Sequence, residues 1–190
     1  GPIIAGFGLI GVAVALGAQD LFKNLIAGLL ILAEKRFHKG DWIHVEGVVE
    51  GHVETIGFRS TMVRRFDKAP VMVPNSQLSD TAVINFTAMT HRRIKWLIGV
   101  EYRTSVDQLR QIRDQVAAYI DETPDFAPKT DVSTFVRIDS FGDSSINIMV
   151  YCFTITTKWG EYLEIKERLA YKVMDIVHGA GAAFAFPSQS

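Results

Sequence analysis

The chain begins with a long apolar run. No polar side chain occurs between Ile3 and Ala18, and residues 1–33 contain only two charged residues, Asp20 and Lys23. At about 1.5 Å per residue, residues 3–18 make a helix of roughly 24 Å, somewhat shorter than the ~30 Å hydrocarbon core of a bilayer. The run predicts a membrane helix. On length alone, a buried helix of a soluble protein and a secretory signal are the alternatives.

Small and bulky residues occupy different faces of this predicted helix. At ~100° per residue, one sector contains Ala5, Leu9, Val12, Leu16, Gln19 and Asp20. Small residues flank this sector, with Gly8, Gly11, Ala15 and Ala18 on one side and Gly6, Ala13 and Gly17 on the other. Because small residues let membrane helices approach closely, two small flanks predict a ring of helices. Leu9, Val12 and Leu16 would then face the axis of a pore.

The apolar pattern continues to residue 33 with a change of character. Asp20, Lys23 and Asn24 form a polar sector on the next predicted turns of helix. Because charged side chains are costly in hydrocarbon, we expect a bend near Asp20, with Gly28 as a second point of bending. The prediction is a pore-lining segment at residues 1–33 with an amphipathic second half, followed by a linker at residues 34–40.

The remaining residues predict two modules. Short strands at 41–45, 51–56, 60–66 and 71–73, separated by turn signals, predict a small β-barrel over residues 41–87. Residues 88–190 have the order β-α-β-β-α-β, which predicts an α+β ferredoxin-like domain. Its strands are expected at 92–102, 131–138, 145–156 and 183–186, with a turn at 139–143. Its helices are expected at 105–120, after a capping box at Ser105 and Gln108, and at 159–178.

Composition argues against several functional classes. The formal net charge of −1 disfavours a general nucleic-acid binder, and a single cysteine, Cys152, excludes an internal disulfide. The five histidines are scattered without metal-ligand spacing, and no nucleophile elbow or phosphate loop occurs, so we expect no metal, no cofactor and no enzyme activity. Asp139, Asp143 and Ser144 are better explained as turn formers. One basic cluster contains Arg64, Arg65, Arg92, Arg93 and Lys95. It fits a solvated or intersubunit face better than a site for anions or lipid headgroups.

Several segments carry a family resemblance. They are GVAVALGAQDLFKNLIAGLLI at residues 11–31, FHKGDWI at 37–43, VPNSQLSDTAVINFT at 73–87, SSINIMVYCFTITTKWGEYL at 144–163 and FAFPSQ at 184–189. Together they resemble the small-conductance mechanosensitive channel family, MscS, and are most similar to its low-conductance branch. The resemblance covers nearly the whole chain in the family's order of pore helix, β domain and α/β domain.

The resemblance implies a homoheptameric channel that opens under membrane tension and releases ions and small solutes during hypo-osmotic stress. It implies a bacterial inner membrane or an organelle membrane, further membrane helices before the pore helix, and a cytoplasmic location for residues 34–190. Val12 and Leu16 match the two constriction positions, and Gln19 and Asn24 match polar positions near the bend. Gly28 matches a distal hinge glycine. Asp20 stands where the prototype has a hinge glycine, so the main bend would move to Gly17 or be set by Asp20.

A narrow apolar ring closes a pore by dewetting, because confined water cannot keep enough hydrogen bonds to carry ions through. The competing hypothesis is a membrane-anchored cytoplasmic binding module without a pore. Such an anchor has no reason to place small residues on two flanks of its helix.

Overall fold

A computed structural model describes residues 1–187 of the chain. It divides into two compact units, Gly1–Met89 and Thr90–Ser190. The first contains α1 (Pro2–Glu34), β1 (Trp42–Val45), β2 (Val49–Ile56), β3 (Ser60–Arg64), β4 (Pro70–Pro74), α2 (Asn75–Asp80) and β5 (Ile84–Asn85). The second contains β6 (Arg92–Val100), α3 (Val106–Glu122), β7 (Phe135–Phe141), β8 (Ile146–Thr154) and α4 (Trp159–Gly179).

The apolar run and the amphipathic segment after it form one continuous helix, α1. The helix begins at Pro2, whose missing N–H is no loss in a first turn. It ends where Lys35 adopts a left-handed conformation with φ 54°. The helical backbone passes through Gly17, Asp20 and Gly28 without a break, so bending at these positions stays a prediction.

The β domain is a five-stranded antiparallel sheet with the order β4-β3-β2-β1-β5. Alternate side chains of its strands point inward, and the core consists of Ile43, Val45, Val49, Val53, Val63 and Val73, joined by Ile31, Phe37 and Leu78 from outside the sheet. Gly51 permits close packing of β2 on β3, because a Cβ there would lie 2.2 Å from the carbonyl oxygen of Arg64.

The four predicted strands of this domain are present with changed ends, and the sheet gains a fifth strand, β5, that the sequence pattern does not indicate; β3, for example, ends at Arg64 rather than at residue 66. β2 begins at Val49 rather than at residue 51, after a turn at Gly47 with φ 72°. After the last predicted strand, Asn75 opens the short helix α2, with Pro74 as its N-cap. The local helix propensity of residues 75–80 does not indicate this helix. It is held by contacts with residues that are distant in the sequence, Asn24 and Arg36.

The second unit has the sheet order β6-β8-β7, and an isolated bridge between Val100 and Phe184 adds the C-terminal segment beside β6. The βαββαβ order is therefore confirmed, but the expected last strand at 183–186 is reduced to that bridge. Two residues of the quoted segment 184–189, Ser188 and Gln189, lie outside the described residues. The capping box of α3 is present, with Ser105 and Gln108 bonded reciprocally.

The turn expected at 139–143 lies further along the chain. Asp139–Phe141 belong to β7, which continues past a bulge between Ile138 and Ser140. The reversal is closed by the Gly142 N–H donating to the carbonyl of Ser145. A bulge adds one residue to a strand without ending it, so Asp139 and Ser140, which predict a turn, lie within β7.

Candidate functional site

The N-terminal two thirds of α1 make no packing contact that buries them. The apolar side chains of Leu9, Val12 and Leu16 are 73%, 59% and 66% exposed. The helix is long and apolar enough to cross a membrane, and none of its most apolar window is buried. A core helix of a soluble protein would be covered by its own chain, so this surface is covered by something else.

Four glycines of this segment lie close to no other part of residues 1–187. A Cβ added at Gly6, Gly8, Gly11 or Gly17 would meet no atom within 4 Å. Glycine costs about 1 kcal/mol relative to alanine in a helix, so these positions weaken α1 without easing any contact made by the single chain. Close approach of another helix is the physical reason for such positions in a membrane.

The polar residues at the middle of α1 differ in what they contact. Gln19 and Asp20 are exposed, and within residues 1–187 no cation pairs with the Asp20 carboxylate. Asn24 is half-buried. Its Nδ2 donates to the backbone carbonyl of Asp20 at 2.9 Å, and its Oδ1 accepts from the N–H of Ser76 at 2.8 Å. Asn24, together with Lys23 one residue before it, therefore marks where α1 begins to bond to the β domain.

Past Asn24, α1 docks on α2 through a tight contact at Gly28. Ala27, Gly28 and Ile31 are the buried residues of α1. A Cβ at Gly28 would lie 2.7 Å from the Nδ2 atom of Asn75. Glycine at this position therefore allows close packing against Asn75, while bending at Gly28 stays a prediction.

Asn75 is fixed from both sides. It is fully buried, its Oδ1 accepts from the Thr61 hydroxyl at 2.8 Å, and its Nδ2 donates to the Gly57 carbonyl at 3.0 Å. The Asn75 N–H also donates to the carbonyl of Arg59 at 3.0 Å. Because a buried amide that loses a partner costs about 1–3 kcal/mol, this network holds the surface against which Gly28 packs.

Helix α2 receives polar partners at both ends from α1 and the residues that follow it. At its start, the Ser76 N–H reaches Asn24, since the N-cap Pro74 provides no side-chain bond. At its end, Arg36 Nη1 donates to the Ser79 carbonyl at 2.8 Å, and Lys23 Nζ lies 3.4 Å from the Asp80 carboxylate. The bonds to the Ser76 N–H and the Ser79 carbonyl satisfy backbone groups that a helix leaves unpaired at its termini.

The basic cluster expected from the sequence is not one free patch. Arg64 pairs with Glu54 at 2.7 Å, and Arg65 pairs with Asp67 at 3.1 Å. Arg92 is nearly buried, with its guanidinium 5.0 Å and 5.3 Å from the ring centroids of Trp159 and Tyr162. Arg93 and Lys95 are exposed on β6.

The side chains that could have carried chemistry have structural positions. Within residues 1–187, no group of three or more His, Cys, Asp or Glu side chains is arranged to hold a metal ion. Burial raises the pKa of the Cys152 thiol to about 12, which removes the thiolate needed for nucleophilic attack. The candidate site is therefore the surface of α1, with an exposed apolar part before Asn24 and a part after it that packs against α2.

Comparison with known proteins gives this arrangement a family. Residues 20–88 match the family described as "Mechanosensitive ion channel, beta-domain", and residues 94–184 match "Mechanosensitive ion channel MscS, C-terminal". An uncharacterized MscS family protein of Aquifex aeolicus is 40% identical over 190 residues, covering 100% of this chain and 51% of that protein. The low conductance mechanosensitive channel YnaI of Escherichia coli is 38% identical, covering 96% of this chain and 53% of that protein. The chain thus spans about half the length of these relatives.

Solved structures agree in fold. The closed-state crystal structure of Helicobacter pylori MscS matches with a TM-score of 0.83 and 25% identity, covering 100% of this chain and 72% of that chain. Arabidopsis thaliana MSL1 matches in fold with a TM-score of 0.87 and 23% identity, covering 97% of this chain and 66% of that chain. With an exposed apolar helix, a β domain and an α+β domain in the same order, the chain belongs to the MscS family of mechanosensitive ion channels.

Proposed function

We propose that this chain forms the pore helix and the cytoplasmic domains of a mechanosensitive channel subunit. The observation that carries the proposal is the first part of α1, which is apolar, exposed and lined by glycines facing open space. Copies of α1 packed side by side in a membrane bury the glycine flanks against each other and leave the bulky face to lipid or other helices. The proposed assembly is a homoheptamer.

In this assembly Leu9, Val12, Leu16, Gln19 and Asp20 line the pore, and Val12 and Leu16 form the constriction. The two constriction side chains are one turn of helix apart, so the copies build two stacked apolar rings. Water leaves a narrow apolar ring, and ions then lose their hydrated path. Membrane tension favours the state of larger area and shifts a pre-existing equilibrium toward the open pore, without a chemical step.

The docking contacts define which part of α1 is free to move. Residues before Asn24 make no burying contact with the β domain, whereas Asn24, Gly28 and Ile31 are held by it. When the part of α1 before Gly17 tilts, we expect the helix to bend between Gly17 and Asn24. The small flanking residues, Gly8, Gly11, Ala13, Ala15 and Gly17, allow neighbouring helices to slide past each other during this movement.

We place the protein in a bacterial inner membrane, with residues 34–190 on the cytoplasmic side and further membrane helices in the full-length protein. The chain spans about half of its relatives' length, which leaves room for those helices. Opening under tension releases ions and small solutes during hypo-osmotic stress. The low-conductance branch, to which YnaI belongs, is the favoured placement within the family.

The test is the mass and the current of the full-length protein. Light scattering in detergent should give a mass of about seven subunits, and patches containing the protein should conduct when suction is applied. A monomer that gives no current under suction refutes the proposal and favours a membrane-anchored binding module. The two measurements are independent. A heptamer that gives no current refutes the proposed channel activity but leaves the proposed homoheptamer standing.

A further inference from the structure

One face of the sheet in the second unit is covered by helices, and the other is open. The side chains of β8 alternate between buried and half-buried along its whole length. The buried set joins the core with α3 and α4. The outward positions of the paired strands, here called the open sheet face, are Arg93, Lys95, Leu97, Gly99, Phe135, Arg137, Asn147, Met149, Tyr151 and Phe153.

Three aromatic rings form a row on the open sheet face. Tyr151 lies opposite Phe135 on β7, with the ring centroids 6.3 Å apart, and 5.4 Å from the ring of Phe153 on its own strand. Phe135 is 47% exposed although it sits on a strand paired to the rest of the sheet. The row therefore presents π surface to solvent rather than to the core.

Three of the positions named for this face are cations and none is a carboxylate, while the exposed Asp139 lies beside the face at the bulge of β7. Lys95 lies opposite Tyr151 in the register, and Arg137 lies opposite Met149. The Arg93 guanidinium lies 5.9 Å from the Tyr151 ring centroid. Within residues 1–187 none of the three cations takes part in an ion pair, although the chain as a whole has a net charge of −1. The open sheet face thus presents three cations outside ion pairs beside the aromatic row.

We propose that the open sheet face binds a nucleoside phosphate. The base stacks on Phe135 and Tyr151, and the phosphate pairs with Arg137, while Lys95 and Arg93 add positive charge on the other side of the Tyr151 ring. Adjacent strands lie about 4.8 Å apart and alternate residues about 7 Å apart, so ring and cation are separated by roughly the distance from a base to its phosphate. Stacking bases on aromatics of a four-stranded sheet is an established mode of nucleic-acid recognition.

The chemistry favours a small ligand over a nucleic acid. An RNA strand requires a basic track that follows several phosphates, and basic residues on this face are confined to three positions around one row of rings. A lipid headgroup or inorganic phosphate would use the cations and leave the rings without a role. The site goes beyond the proposed channel function, since it lies wholly in the second unit.

The experiment measures AMP binding to the purified full-length assembly by equilibrium dialysis and by saturation-transfer NMR. We expect the adenine protons to receive the strongest saturation, and adenosine and ribose 5-phosphate each to bind about tenfold or more weakly than AMP, because each lacks one of the two contacts. Phe135→Leu and Arg137→Gln, both at exposed positions of β7, should each weaken AMP binding by a similar factor.

Two variants serve as matched controls. Phe141→Leu makes the same substitution on the same strand, at a position that pairs with the helix-facing Ile146. Lys172→Gln removes a cation that lies over a ring, Tyr119, on the helical side of the unit. Both should leave AMP binding unchanged.

Four outcomes overturn the proposal. They are equal binding of ribose 5-phosphate and AMP, no binding of AMP at millimolar concentration, binding of an RNA oligonucleotide without binding of AMP, and equal losses in the control variants. None of these outcomes changes the suction-evoked current, so failure here is distinguishable from failure of the channel assignment.

Discussion

Replacing Gly28 by alanine should loosen the contact between α1 and the β domain. The new Cβ would lie 2.7 Å from the Nδ2 atom of Asn75, about 0.8 Å short of a favourable nonbonded distance of ~3.5 Å. The amide cannot retreat freely, because the Thr61 hydroxyl and the Gly57 carbonyl hold its two ends.

The size of the effect follows from three terms. Displacing Asn75 from its partners costs about 1–3 kcal/mol, and the remaining overpacking adds about 1–3 kcal/mol. Alanine returns about 1 kcal/mol through its higher helix propensity. The three terms give a net loss of about 1–5 kcal/mol in the docking free energy, centred near about 3 kcal/mol, which is a roughly 150-fold shift toward the undocked helix.

Amide hydrogen exchange of the full-length protein in detergent measures this shift directly. The Ser76 N–H, which donates to Asn24, should exchange roughly 150-fold faster in Gly28→Ala. Gly160→Ala is the matched control, because a Cβ at Gly160 meets nothing within 4 Å, and exchange at Ser76 should not change. In an Asn75→Ala background the clash is absent, so Gly28→Ala should cost nothing there. The same loss in both backgrounds would falsify the assignment of the contact to Asn75.

The remaining predictions concern the pore and the cysteine. Val12→Asp and Leu16→Asp should wet the constriction and give channels that conduct without suction; normal closure of both contradicts the pore assignment. Asp20→Asn should shift the reversal potential toward lower cation preference in a salt gradient, because copies of Asp20 lining the proposed pore would form a ring of carboxylates; an unchanged potential contradicts that placement of Asp20. Cys152, with its pKa raised to about 12, should resist maleimide at pH 8 in the folded protein and react rapidly in denaturant. Since the unfolded thiol ionises near its ordinary pKa of 9.0 and the folded thiol does not, stability should fall as the pH rises above about 9; a flat profile there contradicts the burial.

The sequence predicted the elements whose signals are local. The apolar run specified α1, the alternation of residues in β8 specified a half-buried strand, and the Ser105 box specified the start of α3. In each case the periodicity or the cap lies within a few residues of the element that it defines, so no tertiary information was needed.

The docking site could not be predicted in the same way. Asn24 and Ser76 lie 52 residues apart, and nothing in the local pattern of either residue indicates the other. Asn75 follows a proline and resembles a turn residue, but its buried hydrogen bonds make it the centre of the contact. A buried asparagine and a packed glycine carry no signal of their own in a single sequence, since their roles come from partners that only the fold supplies.

The short helix α2, which packs against α1, has a consequence for how movement of α1 would pass to the β domain. With six residues, α2 is far below the length at which a helix persists alone in water. Asn24 of α1 and Arg36, which follows α1, bond to the two ends of α2. Withdrawal of α1 therefore removes the contacts that keep α2 helical. In the proposed channel, the contact between α1 and α2 would transmit movement of α1 to the β domain while it is intact, and would be lost in one cooperative step.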